Sequence, residues 1–441
     1  MLPVIVLVGR PNVGKSTLFN YLTKTRDALV LDWPGVTRDR QYGYGKVGEQ
    51  PYLVVDTGGL AEPDDPTMAS LTDQQVHQAI DQADCIYFMV DAKDGLTAPD
   101  RNIAMKLRQQ HAAKVKLLVN KTDRDDAATL IGDFYELGLG QPYAVAASMG
   151  RGIPELVDQT LASFDYHQIE AVEDDTQGPR IAIVGRPNVG KSTLINRLLG
   201  EERVVVCDRP GTTRDSIEIP YERQGKPYTL IDTAGVRRRA RVSATVEKFS
   251  VIKTLQAIEM AQVVVLVMDG HEDVTDQDLH LLGKVLQMGK ALIIAFNKWD
   301  NIDQYDRDQF TSAVDRKLEF VDFARRYYIS ALHGTGVGKL YRAIDEAYEA
   351  VQTRISTAQI TQALEKALRT HQPPLVSGRR IKLRYAHMGG NDPLVIVIHG
   401  KQVTKLPGSY QRYLVNFFRQ HFSIAAIPIH LKLVNDDNPY V

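Results

Sequence analysis

Only two cysteines, Cys85 and Cys207, occur in 441 residues. That excludes a disulfide-braced scaffold and suits a reducing compartment, the cytoplasm. No apolar run reaches the roughly 18 residues that a membrane-spanning helix needs, so no membrane partner is expected. The opening MLPVIVLVGR is apolar but lacks a basic segment, and it reads as a buried strand rather than an export signal. Net charge is also nearly absent, at −1, but the balance is uneven along the chain. Residues 1–165 hold 16 Lys+Arg against 22 Asp+Glu, whereas residues 355–441 hold 11 against 4. A basic C-terminal end fits either an anionic partner or an acidic face of the same chain.

What the sequence has in abundance is self-similarity. GRPNVGKSTLFN begins at Gly9 and GRPNVGKSTLIN at Gly185. A shift of 176 residues also aligns PGVTRD with PGTTRD and VVDTGG with LIDTAG, and one insertion later LLVNKTD meets IAFNKWD. Four motifs in one register mark a duplicated domain. Each copy alternates apolar, β-branched runs with helical patterns, which implies an α/β fold with a mainly parallel sheet and helices on both faces. Ligands of such sheets bind at the carboxyl ends of the strands, where every one of these motifs falls. We expect a first domain over 1–165, an acidic, flexible linker over 166–178, a second domain over 179–354 and a small basic domain over 355–441.

The repeated loop fits G-x-x-x-x-G-K-[ST], a phosphate-binding P-loop. The first spans Gly9, Arg10, Pro11, Asn12, Val13, Gly14, Lys15, Ser16 and Thr17. The second spans Gly185, Arg186, Pro187, Asn188, Val189, Gly190, Lys191, Ser192 and Thr193. Backbone N–H groups and a helix N-terminus converge there on an anion. Lys15 and Lys191 are placed to reach the β/γ-phosphates, and Ser16 and Ser192 to ligate Mg²⁺. Asp56 and Asp232 end the following strand and can hold the same ion through water. Thr37 and Thr213, in the PG-x-TRD loops, are candidate second Mg²⁺ ligands; an ordinary turn role is the alternative. Asp56, Thr57, Gly58, Gly59 and Leu60, with Asp232, Thr233, Ala234, Gly235 and Val236, form the loops that would sense the γ-phosphate.

Base selection is expected from Asn120, Lys121, Thr122 and Asp123, and from Asn297, Lys298, Trp299 and Asp300. Guanine presents N1–H and N2–H₂ side by side, and an ionised aspartate accepts both, which adenine cannot match. Leu60 and Val236 stand where many GTPases carry a water-orienting glutamine, so intrinsic hydrolysis is expected to be slow or to use another device. Asn12 and Asn188 can ligate a K⁺ ion beside the phosphates, or can simply shape the turn. On these readings Lys15, Lys191, Asn12, Asn188, Thr37 and Thr213 are the candidate catalytic residues.

Together, the tandem GRPNVGKS loops, PG-x-TRD, DT[GA]G, NK-x-D and the basic C-terminal region resemble the bacterial Der (EngA) family of double-GTPase ribosome-assembly factors. EKFSVIKTLQAIE (247–259) and GRRIKLRYA (378–386) share in the likeness, which covers essentially the whole chain. The resemblance implies a GTP-hydrolysing switch acting in maturation of the large ribosomal subunit, with a C-terminal KH-like α+β domain. The partners it implies are that subunit and its rRNA, met by a monomer through the basic domain and the second switch region. A GTP-gated ribosome- or RNA-binding scaffold with one weakly hydrolysing copy is the alternative. The last guanine motif of the family, usually Ser-Ala, stands as Ser330-Ala331 in the second copy but as Ala146-Ala147 in the first. The contact there is expected from the backbone of Ala147 and Ala331. The C-terminal region reads helix, strand, strand, helix, strand, and its HMGGND (387–392) joins strands, so the GXXG clamp of an ordinary KH domain is lacking. Arg379, Arg380, Lys382 and Arg384 could still meet rRNA phosphates.

Overall fold

The structure, a computed structural model, describes residues 2–23, 42–58, 76–123, 131–164, 178–200, 204–206, 218–231, 251–300, 302–376, 379–391 and 393–435. They divide into two compact units, one within 1–173 and one within 174–441.

The first unit is built on six strands: β1 (Val4–Val8), β2 (Tyr42–Tyr44), β3 (Leu53–Asp56), β4 (Cys85–Asp91), β5 (Val115–Asn120) and β6 (Tyr143–Ala144). Their order is β2-β3-β1-β4-β5-β6. All pair in parallel except β2, which runs antiparallel to β3. Every residue of β1, β3 and β4 is buried, as a sheet covered on both faces requires. The covering helices include Lys15–Thr23, Ala98–His111 and Ile153–Leu161. The core under β1 is filled by Leu18, Phe19 and Leu22 from the first helix and by Leu156 and Val157 from the last.

The second unit repeats this plan with β7 (Arg180–Val184), β8 (Val204–Val206), β9 (Glu218–Arg223), β10 (Lys226–Ile231), β11 (Val263–Asp269), β12 (Ala291–Asn297) and β13 (Arg325–Tyr328). The order is β13-β12-β11-β7-β10-β9-β8, with β8 and β9 antiparallel at one edge. The helix Lys191–Leu199 follows the second P-loop, and Gly338–Gln352 packs its Leu340, Ile344 and Ala347 into the core.

The C-terminal layer has the expected helix Thr357–Thr370, then a short hairpin of β14 (Leu375–Val376) and β15 (Arg379–Arg380) that the sequence pattern does not announce. β16 (Lys382–Asn391) and β17 (Leu394–Lys401) run antiparallel, the helix Gly408–His421 crosses over, and β18 (Ile429–Asn435) returns parallel to β17. Gly389 and Gly390 lie within β16 beside a bulge, so HMGGND continues a strand into its turn.

This layer is not separate from the second GTPase copy: a single buried cluster runs from Ile181 to Leu431 through both. Leu292 N donates to the Ala426 carbonyl at 2.7 Å and Ala426 N donates to the Phe323 carbonyl at 3.1 Å. His430 Nε2 meets the Leu286 carbonyl at 3.0 Å. Arg419 lies 4.2 Å over the Phe323 ring and donates to the carbonyls of Ile424 and Ile427. Burial pushes its guanidinium down to about 10. No helix among the described residues is long and apolar enough to cross a membrane.

Candidate nucleotide-binding sites

Both P-loops turn sharply between a buried strand and a helix. Asn12 and Asn188 hold φ of 66° and 64°, a left-handed conformation that asparagine tolerates better than most residues. Gly14 and Gly190 hold φ of +102° and +94°, and a Cβ at either would stand 2.4 or 2.2 Å from the amide nitrogen of Asn120 or Asn297. Only glycine fits that approach. The helices open at Lys15 and Lys191, aiming N-terminal N–H groups into the loop. Lys15 curls back over it, donating to the carbonyls of Gly9 and Arg10 at 2.9 Å each. Burial lowers its pKa, with nearby Asp56 opposing the shift. Lys191 donates to the Arg186 carbonyl at 2.7 Å. The Lys15 ammonium, buried and resting on carbonyls, is a charge suited to an anion.

Arg10 and Arg186 turn their side chains away from the loop. Arg186 Nε meets Asp278 at 3.0 Å and its Nη2 meets Glu272 at 2.9 Å. Arg10 meets Asp94 at 2.6 Å and lies 3.5 Å from Asp100. Asp100 and Asp278 are both N3 residues of capping boxes, with Thr97 and Thr275. Each arginine therefore braces its P-loop against a helix start, and only its backbone remains for a phosphate. Pro11, Pro187, Thr17 and Thr193 are exposed at the loops, while Val13 and Val189 are buried plugs.

Ser16 Oγ donates to Asp56 Oδ2 at 2.8 Å, so hydroxyl and carboxylate sit side by side at the end of β3. That pair fits Mg²⁺, a hard cation held by few protein oxygens together with phosphates and water. Among the described residues no cluster of three acidic, His or Cys side chains forms a closed metal cage. The Thr57 hydroxyl donates to the Leu7 carbonyl at 2.7 Å, inside the sheet. Gly58 N donates to Asp56 Oδ1 at 2.8 Å and orients the carboxylate. Thr37, Gly59, Leu60, Thr213, Asp232, Thr233, Ala234, Gly235 and Val236 lie outside the described residues.

The base-reading corners are assembled alike. Asn120 Nδ2 donates to the Val13 carbonyl at 2.8 Å and its Oδ1 accepts from Ala147 N at 3.0 Å. Asn297 does the same with Val189 and Ala331, at 2.8 Å each. These asparagines tie the P-loop to the last guanine motif, and the alanine N–H groups expected at the base donate to them. Lys121 and Lys298 hold φ of 67° and 63°, a costly backbone state for lysine that is typical of functional sites. Their amines reach Asp91 at 2.5 Å and Asp269 at 2.6 Å, stretching the aliphatic stems across the corner. Burial opposes ionisation of Asp91, yet Lys121 and backbone donors hold its carboxyl below the ordinary value.

The side chains beside them divide. Thr122 turns its hydroxyl to the Val145 carbonyl at 2.9 Å, and Trp299 packs on Tyr328 and Phe310, so neither side chain faces a base. Asp123 meets Lys93 at 3.2 Å through Oδ2, while its Oδ1 is buried with no hydrogen-bond partner among the described residues. An orphaned carboxylate oxygen fits the paired donors of guanine. Asp300 lies 3.5 Å from His333, and a hydrogen bond from Ser330 lowers its pKa. Asp91 and Asp269, and the braces Asp100 and Asp278, escaped the sequence reading. Their signal was recurrence: each ends the same strand or starts the same helix in both copies.

The family described as "50S ribosome-binding GTPase" matches twice, over residues 4–121 and 180–298. "KH-domain-like of EngA bacterial GTPase enzymes, C-terminal" matches residues 354–433. The GTPase Der of Coxiella burnetii (strain Dugway 5J108-111) is 58% identical over 440 residues, covering 100% of this chain and 99% of that one. That of Thioalkalivibrio sulfidiphilus is 57% identical over 441 residues, covering 100% and 95%. That of Shewanella amazonensis is 50% identical over 464 aligned residues, covering 100% and 94%. With two P-loop GTPase domains and a KH-like domain in this order, the chain belongs to the Der (EngA) family of GTP-hydrolysing proteins.

Proposed function

We propose that the two sites bind GTP and Mg²⁺ and that their hydrolysis cycle controls engagement of the large ribosomal subunit and its rRNA during maturation. The observation that carries this reading is the duplicated guanine corner. In each copy an asparagine locks the P-loop to the last motif and a lysine stem spans the corner, and in the first copy Asp123 keeps a buried carboxylate oxygen without a hydrogen-bond partner among the described residues, which suits the paired donors of guanine. Lys15 and Lys191 trade backbone carbonyls for the β/γ-phosphates, and the loop N–H groups hold the same oxygens. Ser16 with Asp56, and Ser192 with Asp232, would hold Mg²⁺, which would supply positive charge against the phosphate oxygens. Thr37 and Thr213 would be its further ligands. Asn12 and Asn188 place carboxamides for K⁺ at the outer side of the loops. The protein works as a cytoplasmic monomer, with domains at 1–165, 179–354 and 355–441 joined by the segment 166–178.

One difference between the corners supports a division of labour, in which one copy hydrolyses weakly and gates binding. The Ser330 hydroxyl keeps the Asp300 carboxyl below its ordinary value, whereas Ala146 has no hydroxyl to offer Asp123. Nucleotide competition, single-turnover hydrolysis with one P-loop disabled at a time, and co-sedimentation with ribosomal subunits test the proposal. GTP should outcompete ATP at both sites, and large-subunit binding should differ between GDP and a non-hydrolysable GTP analogue. Subunit binding indifferent to nucleotide would overturn the switch.

A further inference from the structure

The C-terminal sheet has one face spent on its core and one face that is open at one end only. Ala386, Ile396, Ile398, Ile429 and Leu431 point inward and are buried with the helices Thr357–Thr370 and Gly408–His421. On the opposite face, Tyr385 of β16 pairs across the ladder with His399 of β17. Their rings stack at 4.5 Å with planes 4° apart. His387, two residues along β16, stacks on His399 at 5.2 Å and 23°. Three near-parallel rings thus form one platform. Tyr385 remains 42% exposed, too much for a residue whose task is core packing. His399 Nε2 has no hydrogen-bond partner among the described residues.

The platform has a charged border. Lys382 stands directly opposite Lys401 across the ladder, and Lys401 is two residues beyond His399 on the same face. Lys432 of β18 pairs with Val397 on the other side. All three lysines are exposed, and none has an ion pair among the described residues. Like charges set opposite each other in a sheet destabilise it unless an anion lies between them. The other end of this face, at His430, is already occupied by the second GTPase copy.

We infer that this face binds an unpaired stretch of RNA, with a base stacked on the Tyr385–His399–His387 rings and its phosphates on Lys382, Lys401 and Lys432. The inference rests on the ribosomal-RNA reading above and names the surface that performs it. Unpaired bases expose a π-face and carry an anion at every step, which is the alternation this surface matches. A duplex hides its base faces, and an acidic protein surface makes no use of the ring platform. Two residues of strand span about 7 Å, so a base on the rings brings its own phosphate within reach of the lysine pair. The missing GXXG clamp is then no obstacle, because the open sheet face takes the place of the helix-flanked cleft.

The test uses the full chain and a fluorescent single-stranded oligoribonucleotide, with a duplex of the same sequence for comparison. Tyr385→Ala should weaken single-strand binding by about 5- to 100-fold, with Tyr385→Phe near the parent value. Lys382→Ala with Lys401→Ala should flatten the salt dependence, the slope falling by about 1.4 for two lost phosphate contacts. GTP hydrolysis should stay unchanged in all of them and the thermal midpoint should not fall, which separates binding from misfolding. Parent-like affinity in both Tyr385→Ala and the double lysine variant would overturn the inference. Unchanged RNA affinity with lost subunit binding would also overturn it, by assigning the face to a ribosomal protein. If the parent chain binds subunits but not single-stranded RNA, this inference fails while the proposed function stands; if it binds neither, both fail.

Discussion

Asp300 stands beside Ser330, whose hydroxyl holds its carboxyl below the ordinary value, whereas at the matching corner Ala146 has no hydroxyl and Asp123 Oδ1 is buried without a hydrogen-bond partner among the described residues. A carboxylate held in place loses less freedom when it takes up a base. Ala146→Ser should therefore tighten guanine nucleotide binding in the first copy, and Ser330→Ala should loosen it in the second. One hydrogen bond of about 1 kcal/mol corresponds to about fivefold in each direction. Titration with fluorescent GDP, using chains disabled in the other P-loop, reads this directly.

Base choice itself is expected to reside in Asp123 and Asp300. Replacing either by Asn turns one acceptor into a donor and suits xanthine, which presents a carbonyl where guanine has its amino group. Asp123→Asn should shift preference to xanthosine nucleotides in the first copy only, and Asp300→Asn in the second only. Retained guanine preference in both single variants would show that the base is read elsewhere.

The monovalent-ion role of Asn12 and Asn188 can be separated from their turn role. Both hold positive φ, which glycine adopts without cost. Asn12→Gly and Asn188→Gly therefore keep the turn and remove the carboxamide. Hydrolysis by the parent chain should be faster in KCl than in NaCl at equal ionic strength, and the double glycine variant should lose that difference. Equal parent rates in the two salts would end the K⁺ assignment.

His430 makes the join between the second GTPase copy and the C-terminal layer sensitive to acid. Burial lowers its pKa, although its bond to the Leu286 carbonyl partly opposes the shift. In the unfolded chain it titrates near an ordinary value of about 6.5. Below that pH the unfolded state takes up a proton that the folded state resists, so stability falls as pH drops. The contribution is complete above about 6.5 and disappears as pH falls through the lower folded value. Thermal unfolding between pH 5 and 7.5 should show this slope, and His430→Gln, which keeps a donor but does not titrate, should flatten it.

The fold was legible because its signals were local. Apolar runs such as CIYFMVD and ALIIAFN became β4 and β12, and the glycine loops fell at strand ends. What stayed hidden was pairing at a distance. Nothing near Asn120 says that its amide will bond Val13, 107 residues away, or that Arg186 will brace Asp278. Periodicity assigns a side chain to a face, but the identity of whatever covers that face is set in three dimensions. For the same reason Leu286, Phe323 and Ala426 looked like ordinary core letters of two domains, although they meet in one seam.

That seam decides how the chain can be taken apart. A fragment stopped near residue 354 would leave Phe323 without Arg419 above it and Leu292 N without its acceptor at Ala426. It would also bare apolar surface that the intact chain never shows to water, an invitation to clump. Idleness in such a fragment would report the wound and not the enzyme. The second GTPase copy is best studied with its C-terminal layer attached, the first P-loop being silenced by substitution rather than by scissors.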